Sequence, residues 1–162
     1  MSSILTHEQI EQKLTRLAWQ IYEQNIEADK IVLAGVADMG YVLAELLANN
    51  LRDISPLKVE LLKVEIDKKN PSEETTIVSG EAAENQAVVL VDDVLNSGRT
   101  LAYAALPFLK RNCRPIQICV LVNRNHRSFP VSADFVGLSL ATTLQEHVEV
   151  SYTDGRFEAV LR

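Results

Sequence analysis

Short apolar runs alternate with helical patterns through the middle of the chain, and this alternation constrains the fold more than any other feature. Ile31-Val32-Leu33-Ala34-Gly35 reads as a short buried strand. Gly40 then opens a helix, YVLAELLANNL, with Leu43, Leu46, Leu47 and Leu51 on one side. Residues 57–66 (LKVELLKVEI) read as a strand with partial alternation. Residues 87–91 are continuously apolar, which predicts a central parallel strand. A helix over 98–112 follows, then buried strands over 116–122 and 133–138. Such alternation predicts a parallel α/β sheet with right-handed crossovers. With 162 residues, 47% of them apolar, the chain is expected to form one domain, residues 1–162.

The two ends carry separate signals. From Thr6 to Gln24 the apolar residues Ile10, Leu14, Leu17, Ala18 and Ile21 recur at helical spacing, with Thr6 and Gln9 placed for a capping box. Near the other end, VEVSY and RFEAVLR flank Thr153-Asp154-Gly155, a strong hairpin signal. Between them, residues 67–86 are polar and acidic, a long loop of the kind that serves as a lid.

Several classes of function are disfavoured. A formal net charge of -6 lacks the basic footprint of a protein built to coat nucleic acid. Cys113 and Cys119 have no zinc-ligand spacing and read as reduced, buried thiols. The N-terminus lacks a signal-peptide pattern, and no apolar run approaches the roughly 20 residues of a membrane helix. The expectation is a soluble cytoplasmic protein with no membrane partner.

In open α/β sheets, ligands bind beyond the carboxyl ends of the strands. There the chain places VVLVDDVLNSGRT, residues 88–100. A strand turns into a helix at Asn96, Ser97, Gly98, Arg99 and Thr100. The first N–H groups of that helix have no internal partners and lie at the positive end of its dipole, so they form an anion site. Gly98 lets the backbone approach a phosphate, two hydroxyls donate, and Arg99 adds a cation. Asp92 and Asp93 repel a phosphate, but they accept hydrogen bonds from sugar hydroxyls or hold a magnesium ion. A single aspartate here would read as a helix cap. The pair, followed by this loop, reads as a ribose 5-phosphate site.

That string resembles the phosphoribosyl pyrophosphate (PRPP) signature of the type I phosphoribosyltransferases. Within the family the likeness is nearest to the PyrR group, bifunctional pyrimidine regulators that are also uracil phosphoribosyltransferases. LTRLAWQIYEQN resembles the group's first helix, LAGVADMGYVLAELL its pyrophosphate loop and second helix, and PIQICVLVNRNHRSFPVSADFVG the segment around its base site. The resemblance implies a central parallel sheet flanked by helices, with a small hood and a C-terminal hairpin. It implies catalytic roles for Asp92 and Asp93 at the ribose hydroxyls, with Mg2+ held by the same two carboxylates. It places the 5-phosphate on Asn96, Ser97, Gly98, Arg99 and Thr100, and pyrophosphate on Ala37, Asp38, Met39 and Gly40. The base is expected against Asn123, Phe135 and Val136, with Phe135 stacking on the ring or packing in the core. A homo-oligomer, a dimer, is a family expectation.

The implied reaction moves ribose 5-phosphate between pyrophosphate and a nucleobase, uracil first or a purine. Two departures bear on it. The 37–40 loop has no cation, and Asp38 adds a like charge. The lid lacks the expected arginine and offers Lys68 and Lys69. A second reading is therefore a non-catalytic regulator that binds PRPP or a nucleotide, and RNA through Arg111, Arg114, Arg124 and Arg127, although these form no stripe. His126 lies near the expected site mouth, whereas His7 and His147 read as surface residues. Dinucleotide and P-loop readings lack their glycine motifs.

Overall fold

The computed structural model describes residues 1–80, 82 and 84–162. In chain order the elements are β1 (Ser2–Leu5), α1 (His7–Gln24), β2 (Lys30–Val36), α2 (Ala37–Ile54), β3 (Lys58–Glu65) and β4 (Ile77–Val78). There follow β5 (Ala87–Leu95), α3 (Arg99–Lys110), β6 (Ile116–Asn123), β7 (Phe135–Ser139), β8 (Val148–Thr153) and β9 (Arg156–Leu161). No helix among the described residues is long and apolar enough to cross a membrane.

The main sheet has the order β4-β3-β2-β5-β6-β7, parallel except for β4. The runs 31–36 of β2 and 88–91 of β5 are buried at every position because helices cover both faces. Ile31 and Leu33 of β2 pack with α1 and α2, and Val32, Ala34 and Val36 pack with Leu101, Ala104 and Phe108 of α3. Successive strand residues face opposite layers, so one run serves two cores. Counting only the parallel strands, the order reverses between β2 and β5. The crevice beyond the carboxyl ends at such a reversal is where open α/β sheets bind ligands.

A second sheet, β1-β9-β8, is antiparallel and joins the two ends of the chain, with Ser3 opposite Val160. This is the hood. Its hairpin turns at Asp154 and Gly155, both at positive φ, as the Asp-Gly signal requires. His7 ties the hood to α1: its Nδ1 accepts the Phe157 N–H at 3.0 Å, and its Nε2 pairs with Glu11. His7 is therefore a half-buried strut rather than a surface residue. The α1 capping box is present as expected, with Thr6 and Gln9 bonded reciprocally.

Some boundaries differ from the sequence expectation. α2 begins at Ala37 rather than after Gly40, so residues 37–40 are the first helical turn. β5 runs on to Leu95, which places Asp92 and Asp93 inside the strand. Segment 67–86 is not wholly loop. It contains β4, which pairs with β3 through Val64–Val78 and Glu65–Ile77. Glu81 and Ala83 of that lid segment lie outside the described residues.

Candidate active site

The carboxyl ends of β2 and β5 meet at a glycine. A Cβ on Gly40 would lie 2.6 Å from the Val91 carbonyl oxygen and 3.4 Å from Asp92 Cα. Only a residue without a side chain lets the first turn of α2 rest on β5 this closely. That turn starts at Ala37, whose φ of 56° is left-handed, and its N-cap Val36 makes no side-chain capping bond. Its leading N–H groups are consequently available to an anion beside Asp92.

Each aspartate is oriented by its own backbone. Asp92 Oδ1 accepts the Asp93 N–H at 2.8 Å, and Asp93 Oδ1 accepts the Val94 N–H at 2.9 Å. Asp92 is buried and Asp93 half-buried. Lys68 reaches over from the lid segment, and its Nζ donates to Asp92 Oδ1 at 2.9 Å and to Asp93 Oδ1 at 3.2 Å. Burial raises the Asp92 carboxyl well above the usual carboxylate range; the adjacent Asp93 charge adds to this and Lys68 opposes it. For Lys68, burial acts to lower the amine, but the two carboxylates outweigh it and raise it. The two aspartates thus form a cation-accepting pair, and an amine occupies it. Among the described residues no group of three or more His, Cys, Asp or Glu could hold a metal. The pair instead fits the habit of Mg2+, which takes one or two protein carboxylates and completes its shell with water and substrate oxygens.

Residues 96–100 form a firm cradle. Gly98 has φ of 90°, and a Cβ there would lie 2.3 Å from Val131 Cγ2. The Ser97 carbonyl accepts the Ser128 and Phe129 N–H groups, and Ser97 Oγ accepts the Arg99 N–H at 3.3 Å. The α3 ladder starts at Ala102 N–H to Gly98 O, leaving the earlier N–H groups at the helix end. A cavity at this end is lined by Lys68, Asp93, residues 94–101 and Val148. The structure therefore brings Asp93, Asn96, Ser97, Gly98, Arg99 and Thr100 together around one space, with buried Asp92 next to Asp93. Asn96 has an additional duty: its Oδ1 accepts from Arg124 Nη1 at 2.8 Å. Arg124 is only 6% exposed and also donates to Thr142 Oγ1 and to the carbonyls of Thr143 and Glu146, the segment leading into the hood. It is a buried tie between the cradle and the hood, which removes it from any RNA surface. His126 joins the same region, its Nε2 lying 2.8 Å from the Thr142 carbonyl oxygen.

The expected base-facing residues divide. Asn123 ends β6 opposite Leu95 at the carboxyl edge, and its side chain accepts the Asn125 N–H. Phe135 and Val136 do not line the cavity. Phe135 pairs with Cys119 and is 3% exposed in the core beside α1, so it has no free face to stack on a ring. Val136 packs toward α3. The sequence reading missed Val148, the hood residue that closes the cavity, because VEVSY carries only a hairpin signal. It also left Lys68 undecided.

Residues 37–40 hold no cation, but a neighbouring strand brings one beside them. Lys63 on β3 donates to Asp38 Oδ1 at 2.7 Å. This hydrogen bond holds the Asp38 carboxyl below its usual range and raises the Lys63 amine, so both are charged at neutral pH.

The family described as "Phosphoribosyl transferase domain" matches residues 1–154. The "Bifunctional protein PyrR" of Streptomyces coelicolor is 38% identical across 98% of this chain and 88% of its own. The PyrR of Clostridium kluyveri is 35% identical across 93% and 90%. Among solved structures, the hypoxanthine phosphoribosyltransferase of Trypanosoma cruzi superposes with a TM-score of 0.78 over 98% of this chain and 95% of its own, at 18% identity, a likeness of fold.

Proposed function

Because the chain belongs to the phosphoribosyltransferase family, and stands with the PyrR proteins within it, we propose that residues 1–162 act as one cytoplasmic domain that transfers ribose 5-phosphate between PRPP and a nucleobase, with uracil the first candidate. The observation that carries this reading is the convergence of Asp93, with buried Asp92 beside it, and the 96–100 cradle around one cavity walled by Val148. Asp92 and Asp93 accept the ribose hydroxyls. The first-turn N–H groups of α3, the hydroxyls of Ser97 and Thr100, and the Arg99 guanidinium take the 5-phosphate. The Asn96 amide nitrogen remains able to donate while its oxygen holds Arg124.

The first turn of α2, Ala37 to Gly40, takes the pyrophosphate beside Asp92. In the reaction the bond from the sugar carbon to pyrophosphate breaks as the base nitrogen bonds to that carbon. Positive charge grows on the ring and negative charge on the leaving group, so donors fixed in advance at the pyrophosphate stabilise the transition state. Magnesium, held by Asp92 and Asp93, would neutralise leaving-group charge when bound. Segment 67–86 and the hood exclude water from the activated sugar. The base is assigned to Val148, which lines the cavity, and to Asn123 at the carboxyl end of β6.

A turnover screen tests this: PRPP and Mg2+ with uracil, hypoxanthine, guanine or adenine, with nucleotide and pyrophosphate measured. Nucleotide formation with one base is expected. No product with any base would remove the enzymatic reading.

One observation favours the second reading, a regulator that binds without turnover. Residues 37–40 hold no cation of their own, and Asp38 is almost fully exposed at the helix start, with its side chain 97% accessible. Calorimetry would then show nucleotide binding with no product in the screen. RNA and a second copy of the chain are the partners of that reading.

A further inference from the structure

Lys63 stands outside the cavity formed by Asp93 and the 96–100 cradle. It lies on β3 opposite Gly35 in the register with β2, near the end of both strands. Its backbone is pinned on both sides, since its N–H donates to Ser79 Oγ and its carbonyl accepts the Ser79 N–H, each at 2.8 Å. The side chain rises from this braced position past Tyr41, with Nζ 5.7 Å from the ring centroid, to the first turn of α2. There it meets Asp38 at 2.7 Å and Glu65 at 3.7 Å.

A cation beside the start of a helix faces the positive end of the dipole. Such a placement is costly unless anions share it, and two carboxylates do. Exposure is unequal, however. The Lys63 side chain is 27% accessible and Asp38 97%. The stem starts from a backbone pinned to Ser79, while the carboxylate that the amine contacts stands in solvent. An arriving polyanion can take the amine simply by turning Asp38 outward.

We infer that Lys63 supplies the cation for pyrophosphate that residues 37–40 lack, with Asp38 holding the amine in place until the phosphate arrives. The inference rests on the function proposed above. It makes Lys63 a binding residue for the pyrophosphate half of PRPP and gives it no contact with the ribose phosphate half. The position of the charge is thereby transferred from the helix turn to the adjacent strand.

Isothermal titration calorimetry on the full chain, with magnesium pyrophosphate and separately with uridine monophosphate, tests this. Lys63→Gln should weaken pyrophosphate roughly tenfold to a hundredfold, the effect of losing a charged hydrogen bond, and leave the nucleotide within about twofold. Lys63→Arg should keep most of the pyrophosphate affinity, which separates charge from packing. Asp38→Asn should tighten pyrophosphate by releasing the amine. The inference is overturned if Lys63→Gln binds pyrophosphate as tightly as the parent, if both ligands weaken together in a folded variant, or if Asp38→Asn weakens pyrophosphate. A parent chain that binds the nucleotide but not pyrophosphate removes this inference and leaves the ribose phosphate site standing. Binding of neither ligand removes both.

Discussion

The Lys68 amine donates a 2.9 Å hydrogen bond to Asp92, a carboxylate that is only 2% exposed. The lysine belongs to the lid segment and the aspartate to the central strand. The free protein thus keeps its lid attached to the two carboxylates assigned to the sugar. A cation or ribose bound as proposed would compete with the lysine for the same oxygens and so would set that segment's position.

Lys68→Met should tighten magnesium binding in the presence of uridine monophosphate. The expected gain is up to about fivefold, the range an ion pair of up to ~1 kcal/mol supports. Magnesium titration by calorimetry measures it. Unchanged or weaker magnesium binding would show that the amine cooperates with the metal rather than competing.

Asp92→Asn should raise the melting temperature while lowering turnover. Its carboxyl titrates higher in the folded than in the unfolded chain, because burial and Asp93 disfavour its charge. Between the two values the folded state binds more protons, so stability falls as pH rises through that window. The penalty is complete above the folded value and absent below the unfolded one, about 3.9. The gain from asparagine should therefore be largest at neutral pH and fade as the medium is acidified, a trend that melting curves across pH record. Asp93→Asn tests the other carboxylate, with turnover expected to fall by about tenfold to a hundredfold. Full activity would remove Asp93 from the site.

Gly98→Ala should cost stability and nucleotide affinity together. The residue sits at φ 90° and a Cβ there meets Val131 Cγ2 at 2.3 Å. A strained backbone of this kind costs on the order of 1–3 kcal/mol before the clash is counted. Gly155→Ala is the control: its φ is 76°, with nothing within 4 Å of the added carbon. It should lower the melting temperature less and leave uridine monophosphate binding unchanged. Equal loss of binding in both variants would show that Gly98 acts through stability alone.

The native chain should resist thiol reagents. Burial pushes the Cys119 thiol up to about 12, and Cys113 is also raised by burial. At pH 8 a thiol of the first kind is about one part in ten thousand thiolate, and the thiolate is the reactive form. Labelling with a chromogenic disulfide should be negligible at pH 8 and reach two thiols after denaturation. Fast labelling of the folded chain would contradict the buried placement.

What the sequence disclosed was mostly local or periodic. The branched runs of β2, β5 and β6, the Thr6–Gln9 cap and the Asp-Gly turn each announce themselves within a few residues. The aspartate pair and its glycine cradle are likewise contiguous, so that half of the site was readable. β1 was not, because SSIL has no pattern of its own and its partner is at the far end of the chain. β4 has two residues, too few for any period. Phe135 was ambiguous because an aromatic in a strand reads alike whether it stacks on a ligand or fills a core. Lys63, inside a strand of partial alternation, carries no signal of its own; only the folded chain sets it beside Asp38. Val148 joins the cavity only through hood closure, which no neighbouring residue signals.

The hood has a consequence for synthesis. Its sheet pairs β1 (Ser2–Leu5) with β9 (Arg156–Leu161), segments far apart in the chain. During synthesis residues 92–100 emerge well before Leu161, the residue that pairs with Val148. The wall that Val148 gives the cavity therefore forms later in synthesis than the strand end and loop it faces.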